Sequence, residues 1–125
     1  MKDIKYINPK TPVAGPYTPG VLAGNILFIS GQGPKQSINT IEEQTYSTLE
    51  NIKSIVEATG GKMANVVNIT VFLSEIEDFS KMNKSYRQFF DDNNMSGKYP
   101  ARTTVEVSNL PLAGMLIEIN AIAVL

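Results

Sequence analysis

Two hydrophobic periods alternate along the chain. In "VLAGNILFISG", Val21–Gly31, two short apolar runs flank Gly24-Asn25, a spacing that predicts a β-hairpin ending at Ser30-Gly31. From Thr40 the period lengthens: Leu49, Ile52, Ile55, Val56 and Thr59 recur at helical spacing, Thr40 and Glu43 form a T-x-x-E capping box, and Gly60-Gly61 supplies a stop. "NVVNITVFLS" returns to period two, with Val67, Ile69, Val71 and Leu73 on one face and Asn68, Thr70 and Phe72 on the other. A second helix is predicted from about Asp78, its buried stripe formed by Phe79, Met82, Tyr86, Phe89 and Phe90, and it ends in the polar loop "DDNNMSGKYP".

The last two periodic runs, "ARTTVEV" and "MLIEINAIAV", read as strands joined by "SNLPLAG". Alternation places Ala101, Thr103, Val105 and Val107 opposite Arg102, Thr104 and Glu106. In the final strand it sets Met115, Ile117, Ile119, Ala121 and Ala123 against Leu116, Glu118, Asn120, Ile122 and Val124. With a short strand at the N-terminus, the order ββ-α-β-α-ββ predicts an α+β fold, both helices on one face of a mainly antiparallel sheet. The other face would expose Phe72, Ile122 and Val124, so oligomerisation through it is expected. Neither a repeat nor a linker interrupts residues 1–125, and one domain is the economical reading. The segment Thr11–Gly20, with three prolines and two glycines, predicts a stiff loop carrying Tyr17.

Composition narrows the chemistry. The 125 residues contain neither Cys nor His, which excludes a thiolate nucleophile, a Ser/His/Asp triad, a His proton shuttle and any zinc site built from imidazole or thiolate. A net charge of −1 gives no long-range field to attract nucleic acid or anionic lipid. The N-terminus "MKDIKYINPKTP" lacks an apolar targeting core, and the longest apolar run carries Glu118, so a cytoplasmic protein with no membrane partner is expected.

Arg102, near the start of a strand otherwise built for a sheet, poses the functional question. If the last two strands pair as a hairpin, Arg102 falls near Asn120 and Thr104 near Glu118 on one face. One reading is a solvated cross-strand ion pair of little energetic weight. The other is a pocket in which arginine binds a small carboxylate bidentately and glutamate handles a water or a proton.

"AGPYTPG", "ISGQGP", "VVNITVFLSEIEDFSKMNKSYRQFF", "YPARTTVEV" and "NLPLAGMLIEINAIAV" together resemble the RidA/YjgF family of enamine/imine deaminases over nearly the whole chain. The resemblance implies a chorismate-mutase-like α+β fold, a six-stranded sheet with two helices on one face. It also implies a homotrimer with sites between subunits, and hydrolysis of 2-aminoacrylate and 2-aminocrotonate to 2-keto acids and ammonia. These substrates are released by pyridoxal-phosphate-dependent serine/threonine dehydratases. Position by position it makes Arg102 the carboxylate anchor and Glu118 the residue that positions water. Tyr17, Ser30, Gly31, Asn83 and Thr104 become lining positions, with no metal and no cofactor. Thr104 stands where many members carry Cys, Asn120 where a second Glu is frequent, and Gly33 where Ile or Leu is common; the 91–100 loop is slightly long. An alternative is a regulatory trimer that binds a 2-keto acid without turnover, which would need Arg102 but not Glu118. A third reading, RNA cleavage or translation inhibition, ranks below both, because basic residues and stacking aromatics do not alternate.

Overall fold

The computed structural model describes residues 3–10 and 13–125; Thr11 and Pro12, the start of the predicted stiff loop, lie outside the described residues. Strands β1 (Ile4–Ile7), β2 (Gly20–Ala23) and β3 (Ile26–Gln32) lead into helix α1 (Ile41–Glu57). Strand β4 (Val66–Leu73), helix α2 (Phe79–Asp92) and strands β5 (Ala101–Glu106) and β6 (Ile117–Val124) follow, with single 3-10 turns at Met63–Asn65 and Ile76–Asp78. The β2–β3 hairpin turns at Gly24, whose φ of 63° suits a residue without a β-carbon. Thr40 caps α1 as the sequence predicts, its Oγ accepting from the Glu43 amide at 3.2 Å. The hydroxyl in turn donates to the Glu43 carboxylate at 2.9 Å.

The six strands lie in the order β1-β2-β3-β6-β4-β5, and all pairs are antiparallel except β4–β5. The predicted hairpin of the last two strands is therefore not formed: β4 lies between β5 and β6. The reason is topological. A strand followed by a helix that packs back on the sheet returns parallel to its start, so β4-α2-β5 is a crossover unit. β6 then fills the vacant centre, where two antiparallel partners bury Ile117, Ile119, Ala121 and Ala123.

One apolar core lies between the sheet and both helices, joining Leu27, Ile69 and Ile119 to Leu49, Ile55 and Phe89. Each such fully buried side chain contributes about 1.5–3 kcal/mol. Two predicted core positions are corrected. A register shift between Val66 and Asn68 bulges β4, so Val66 is buried and Val67 is exposed. Phe79 is also exposed at the start of α2. The α1 core conversely contains Gln44, Thr45, Ser47 and Thr48, which an apolar stripe does not reveal.

The helix-free face carries laterally paired Tyr6, Val21, Phe28 and Ile122, with Ile26 paired to Val124. Tyr6 and Phe28 are 71% and 48% exposed, so the unpartnered apolar face is broader than Phe72, Ile122 and Val124 alone. No helix among the described residues is long and apolar enough to cross a membrane.

Candidate functional site

The sheet divides the predicted site residues into two groups. Arg102 pairs with buried Ile69 and Thr104 with buried Val71, so both point from the edge strand β5 toward α2. There the guanidinium is framed. Its Nη2 donates to Asn83 Oδ1 at 2.8 Å and its Nη1 approaches Met82 Sδ at 3.9 Å, while its carbon stands 4.7 Å from the Tyr86 ring centre and 5.8 Å from that of Phe79. A cavity of about 340 Å³ opens beside it, lined by Asn83, Tyr86, Arg87, Tyr99, Pro100 and Arg102. Arginine carries five N–H donors in a planar fork, so the bond to Asn83 orients the head and leaves donors for a ligand. Burial pushes the Tyr86 phenol up to about 12, with Arg102 partly opposing the shift. Thr104 Oγ is buried without a hydrogen-bond partner among the described residues.

Glu118 projects from the opposite face. It pairs with Phe72 in β4, on the side away from buried Ile117 and Ile119. The expected cross-strand proximity of Arg102 and Thr104 to Asn120 and Glu118 is thus corrected: a strand and the thickness of the sheet separate them. The Glu118 carboxylate lies against Gly31, where an added β-carbon would collide with Oε2 and stand 2.9 Å from Cδ. Gly31 belongs to an irregular stretch of β3 in which the ladder to β6 shifts between Ile29 and Gln32. A second cavity, about 370 Å³, holds this carboxylate together with Tyr17, Gly31, Pro111, Leu112 and Met115. Burial raises the Glu118 pKa above the ordinary carboxylate value.

Tyr17 lines this second cavity on a loop fixed from within: its hydroxyl accepts from the Ala14 amide at 3.1 Å. Ser30 holds that loop, its Oγ donating to the Thr18 carbonyl at 2.6 Å while its amide donates to the Pro19 carbonyl at 2.9 Å. Arg102, Asn83 and Thr104 therefore form one group under α2; Glu118, Gly31 and Tyr17 form another, and Ser30 braces it. The aromatic frame of Arg102 escapes sequence reading because Phe79, Met82 and Tyr86 belong to a stripe that helical spacing assigns wholly to core. Three exposed carboxylates, Glu75, Glu77 and Glu106, converge elsewhere, where Glu106 accepts the Ile76 amide at 2.8 Å; neither cavity includes them.

Chemically, the first group suits a planar anion: a half-buried guanidinium held between an amide and aromatic rings. The second suits proton transfer near neutral pH, because a carboxyl with raised pKa is a better match there than an ordinary one.

Known proteins resemble this chain over most of its length. A family model described as Endoribonuclease L-PSP matches residues 8–125. A RutC family protein of Pyrococcus horikoshii is 41% identical over 98% of both chains. The 2-iminobutanoate/2-iminopropanoate deaminase of Escherichia coli K12 is 41% identical over 88% of both. The crystal structure of the Escherichia coli YjgF gene product superposes with a TM-score of 0.89 at 39% identity, covering 96% of this chain and 98% of that one. The sheet order, the two helices on one face and these matches agree, and the chain belongs to the RidA/YjgF family with its chorismate-mutase-like fold.

Proposed function

We propose that this protein hydrolyses short 2-enamine and 2-imino acids, 2-aminoacrylate and 2-aminocrotonate, to 2-keto acids and ammonia. The observation that carries the reading is Arg102, a guanidinium oriented by Asn83 and set over Tyr86 at the wall of a cavity. Arg102 anchors the substrate carboxylate, with Asn83 fixing its head and Thr104 beside it. Glu118 positions the water, with Tyr17, Ser30 and Gly31 shaping its surroundings. The two groups meet only if Arg102 of one protomer faces Glu118 of a neighbour. A homotrimer that sets the β5 edge of one protomer, with Arg102, beside the helix-free face of the next, with Glu118, meets that requirement, and packing on that face covers Tyr6 and Phe28. The setting is cytoplasmic, and neither metal nor cofactor takes part.

The chemistry fits side chains of modest power. The enamine tautomerises to the imine; water adds to the imine carbon as its oxygen forms the new bond and the C=N electron pair moves to nitrogen. Glu118 accepts the water's proton and returns it to that nitrogen. Collapse of the carbinolamine passes its hydroxyl proton to the nitrogen as the oxygen's electron pair forms C=O and the C–N bond breaks, leaving a ketone and ammonia. Imines hydrolyse readily in water, so anchoring one end of the substrate and orienting one water supplies an advantage that proximity can provide.

The test couples the protein to a purified threonine or serine dehydratase and follows disappearance of the enamine. Wild type accelerates the loss and Arg102→Ala does not. No acceleration by folded trimer overturns the reading for these substrates. One observation favours the second reading, a keto-acid-binding trimer without turnover: the Arg102 group is complete within one protomer, whereas Glu118 lies across the sheet. Under that reading Glu118→Gln keeps full affinity for 2-ketobutyrate and wild type shows no hydrolysis.

A further inference from the structure

α1 touches the Glu118 cavity through Asn51 alone, yet three of its polar side chains hold the cavity's walls from behind. Gln44, Ser47 and Asn51 follow one another at helical spacing on a single face. Asn51 Nδ2 donates to the Gly33 carbonyl at 2.9 Å, Ser47 Oγ accepts from the Lys35 amide at 3.0 Å, and Gln44 Nε2 donates to the Ile38 carbonyl at 2.9 Å. The segment 33–38, of which residues 33–36 form one wall, is thereby stitched to the helix. Gln44 alone also reaches the opposite wall: Nε2 donates to the Gly114 carbonyl at 2.9 Å and Oε1 accepts from the Leu116 amide at 2.7 Å. Leu116 stands two residues before Glu118, and its carbonyl is pinned in turn by the Ser74 amide at 3.1 Å.

Gln44 is 1% exposed, and both its amide donors and its oxygen are engaged. Removing it would take from the Ile38 and Gly114 carbonyls and the Leu116 amide the side chain that pairs them, and with it the hydrogen bonds that tie one wall to the other. The walls meet in the cavity, where a β-carbon on Gly33 would stand 2.7 Å from Met115 Cε. We propose that Gln44 is a positioning residue: by joining residues 33–38 to the start of β6 it sets the separation of the cavity walls and the aim of Glu118 at the reacting water. The inference rests on the reading of Glu118 given above.

The test compares Gln44→Met, which keeps length and loses every bond, with Gln44→Glu, which keeps the acceptor for Leu116. The readouts are imine hydrolysis, 2-ketobutyrate affinity by calorimetry, and titration of the Glu118 carboxyl by carbon NMR. Tyr17 and Lys35 are the other titratable groups lining that cavity. Expected for Gln44→Met is a kcat lower by roughly tenfold or more, with little change in KM or in keto-acid affinity, because Arg102 is untouched. The Glu118 titration shifts, and Gln44→Glu recovers part of both. A folded Gln44→Met protein with unchanged kcat and unchanged Glu118 titration, losing only thermal stability, overturns the proposal. If Gln44→Met does not fold, Gln44→Glu and Ser47→Ala decide it by the same readouts. If wild type hydrolyses no imine, the proposed function fails; a Glu118 titration that still shifts in Gln44→Met then upholds the positioning role, and one that does not overturns it.

Discussion

The two faces of the sheet treat their functional side chains in opposite ways. Under α2, Arg102 is held by an amide oxygen at 2.8 Å and flanked by the rings of Tyr86 and Phe79, so its orientation is fixed before any ligand arrives. On the helix-free face Glu118 is half-buried against Gly31, and burial alone raises its pKa. Preorganisation suits an anchor, which must hold a carboxylate without reorganising; a desolvated carboxyl suits a proton carrier, which must change charge during the reaction. On the proposed reading, the difference means that anchoring and proton transfer are built separately within one chain. In the proposed site they are brought together by assembly.

Mixing two inactive variants is the strongest way to break this contrast. Arg102→Ala and Glu118→Gln each abolish imine hydrolysis on their own, while Glu118→Gln retains keto-acid binding. When the two are unfolded together and refolded as mixed trimers, about a quarter of the sites receive an intact Arg102 from one chain and an intact Glu118 from another, if each site draws on two neighbours. Activity reappears to that extent. A mixture that stays inactive while mass spectrometry shows mixed trimers would place the site within a single chain.

Gly31→Ala attacks only the Glu118 side. A β-carbon there meets the carboxylate itself, so either Glu118 turns away or the irregular stretch of β3 moves. Overpacking of this kind costs about 1–3 kcal/mol of stability. Hydrolysis falls by roughly tenfold to a hundredfold as the carboxylate is displaced, with keto-acid affinity kept. Equal losses in both would show that the two groups are not separable. Thermal melts and calorimetry on one preparation make the comparison.

The contrast was half legible in the sequence. Period two alone places Arg102 with Thr104, and Glu118 opposite Ile117 and Ile119, and both assignments hold in the structure. What alternation cannot state is which strand lies beside which, because that is decided by contacts distant along the chain. The run "SNLPLAG" invites a hairpin, but the amphipathic α2 between β4 and β5 makes a parallel crossover, and that choice moves Arg102 and Glu118 to opposite faces. The Val67 bulge escapes for a related reason: it is a property of the pair β4–β6, not of either strand. Gln44 escapes because a buried amide looks like any polar helix residue until the carbonyls it serves are known.

Asn83→Ala tests the anchor more gently. It removes the 2.8 Å bond that orients the guanidinium but leaves the rings and Arg102 itself. A hydrogen bond to a charged group contributes about 1.5–3 kcal/mol at most. Because a bound carboxylate restrains the freed arginine, keto-acid affinity falls by only about threefold to tenfold, short of the loss in Arg102→Ala. Asn83→Asp weakens affinity further by offering Arg102 a competing carboxylate. Affinity unchanged in both variants would show that the aromatic frame suffices.

The smallest effect is the one the Glu118 face exerts on stability. Its carboxyl has a raised pKa in the folded protein, so folding favours the protonated form and disfavours the charged one. The penalty is absent below the pKa of an unfolded glutamate, about 4.3, and is complete once pH passes the folded value. Wild type therefore loses stability as pH rises through that window. Glu118→Gln, which cannot ionise, escapes the loss: its melting temperature exceeds that of wild type at pH 7 and the difference closes toward pH 4. Arg102→Ala follows no such pattern, because it leaves the Glu118 carboxyl and its contact with Gly31 unchanged. Melting curves of both variants and wild type across this range measure the contrast directly. A Glu118→Gln advantage that did not vary with pH would trace it to packing around Gly31 and not to desolvated charge.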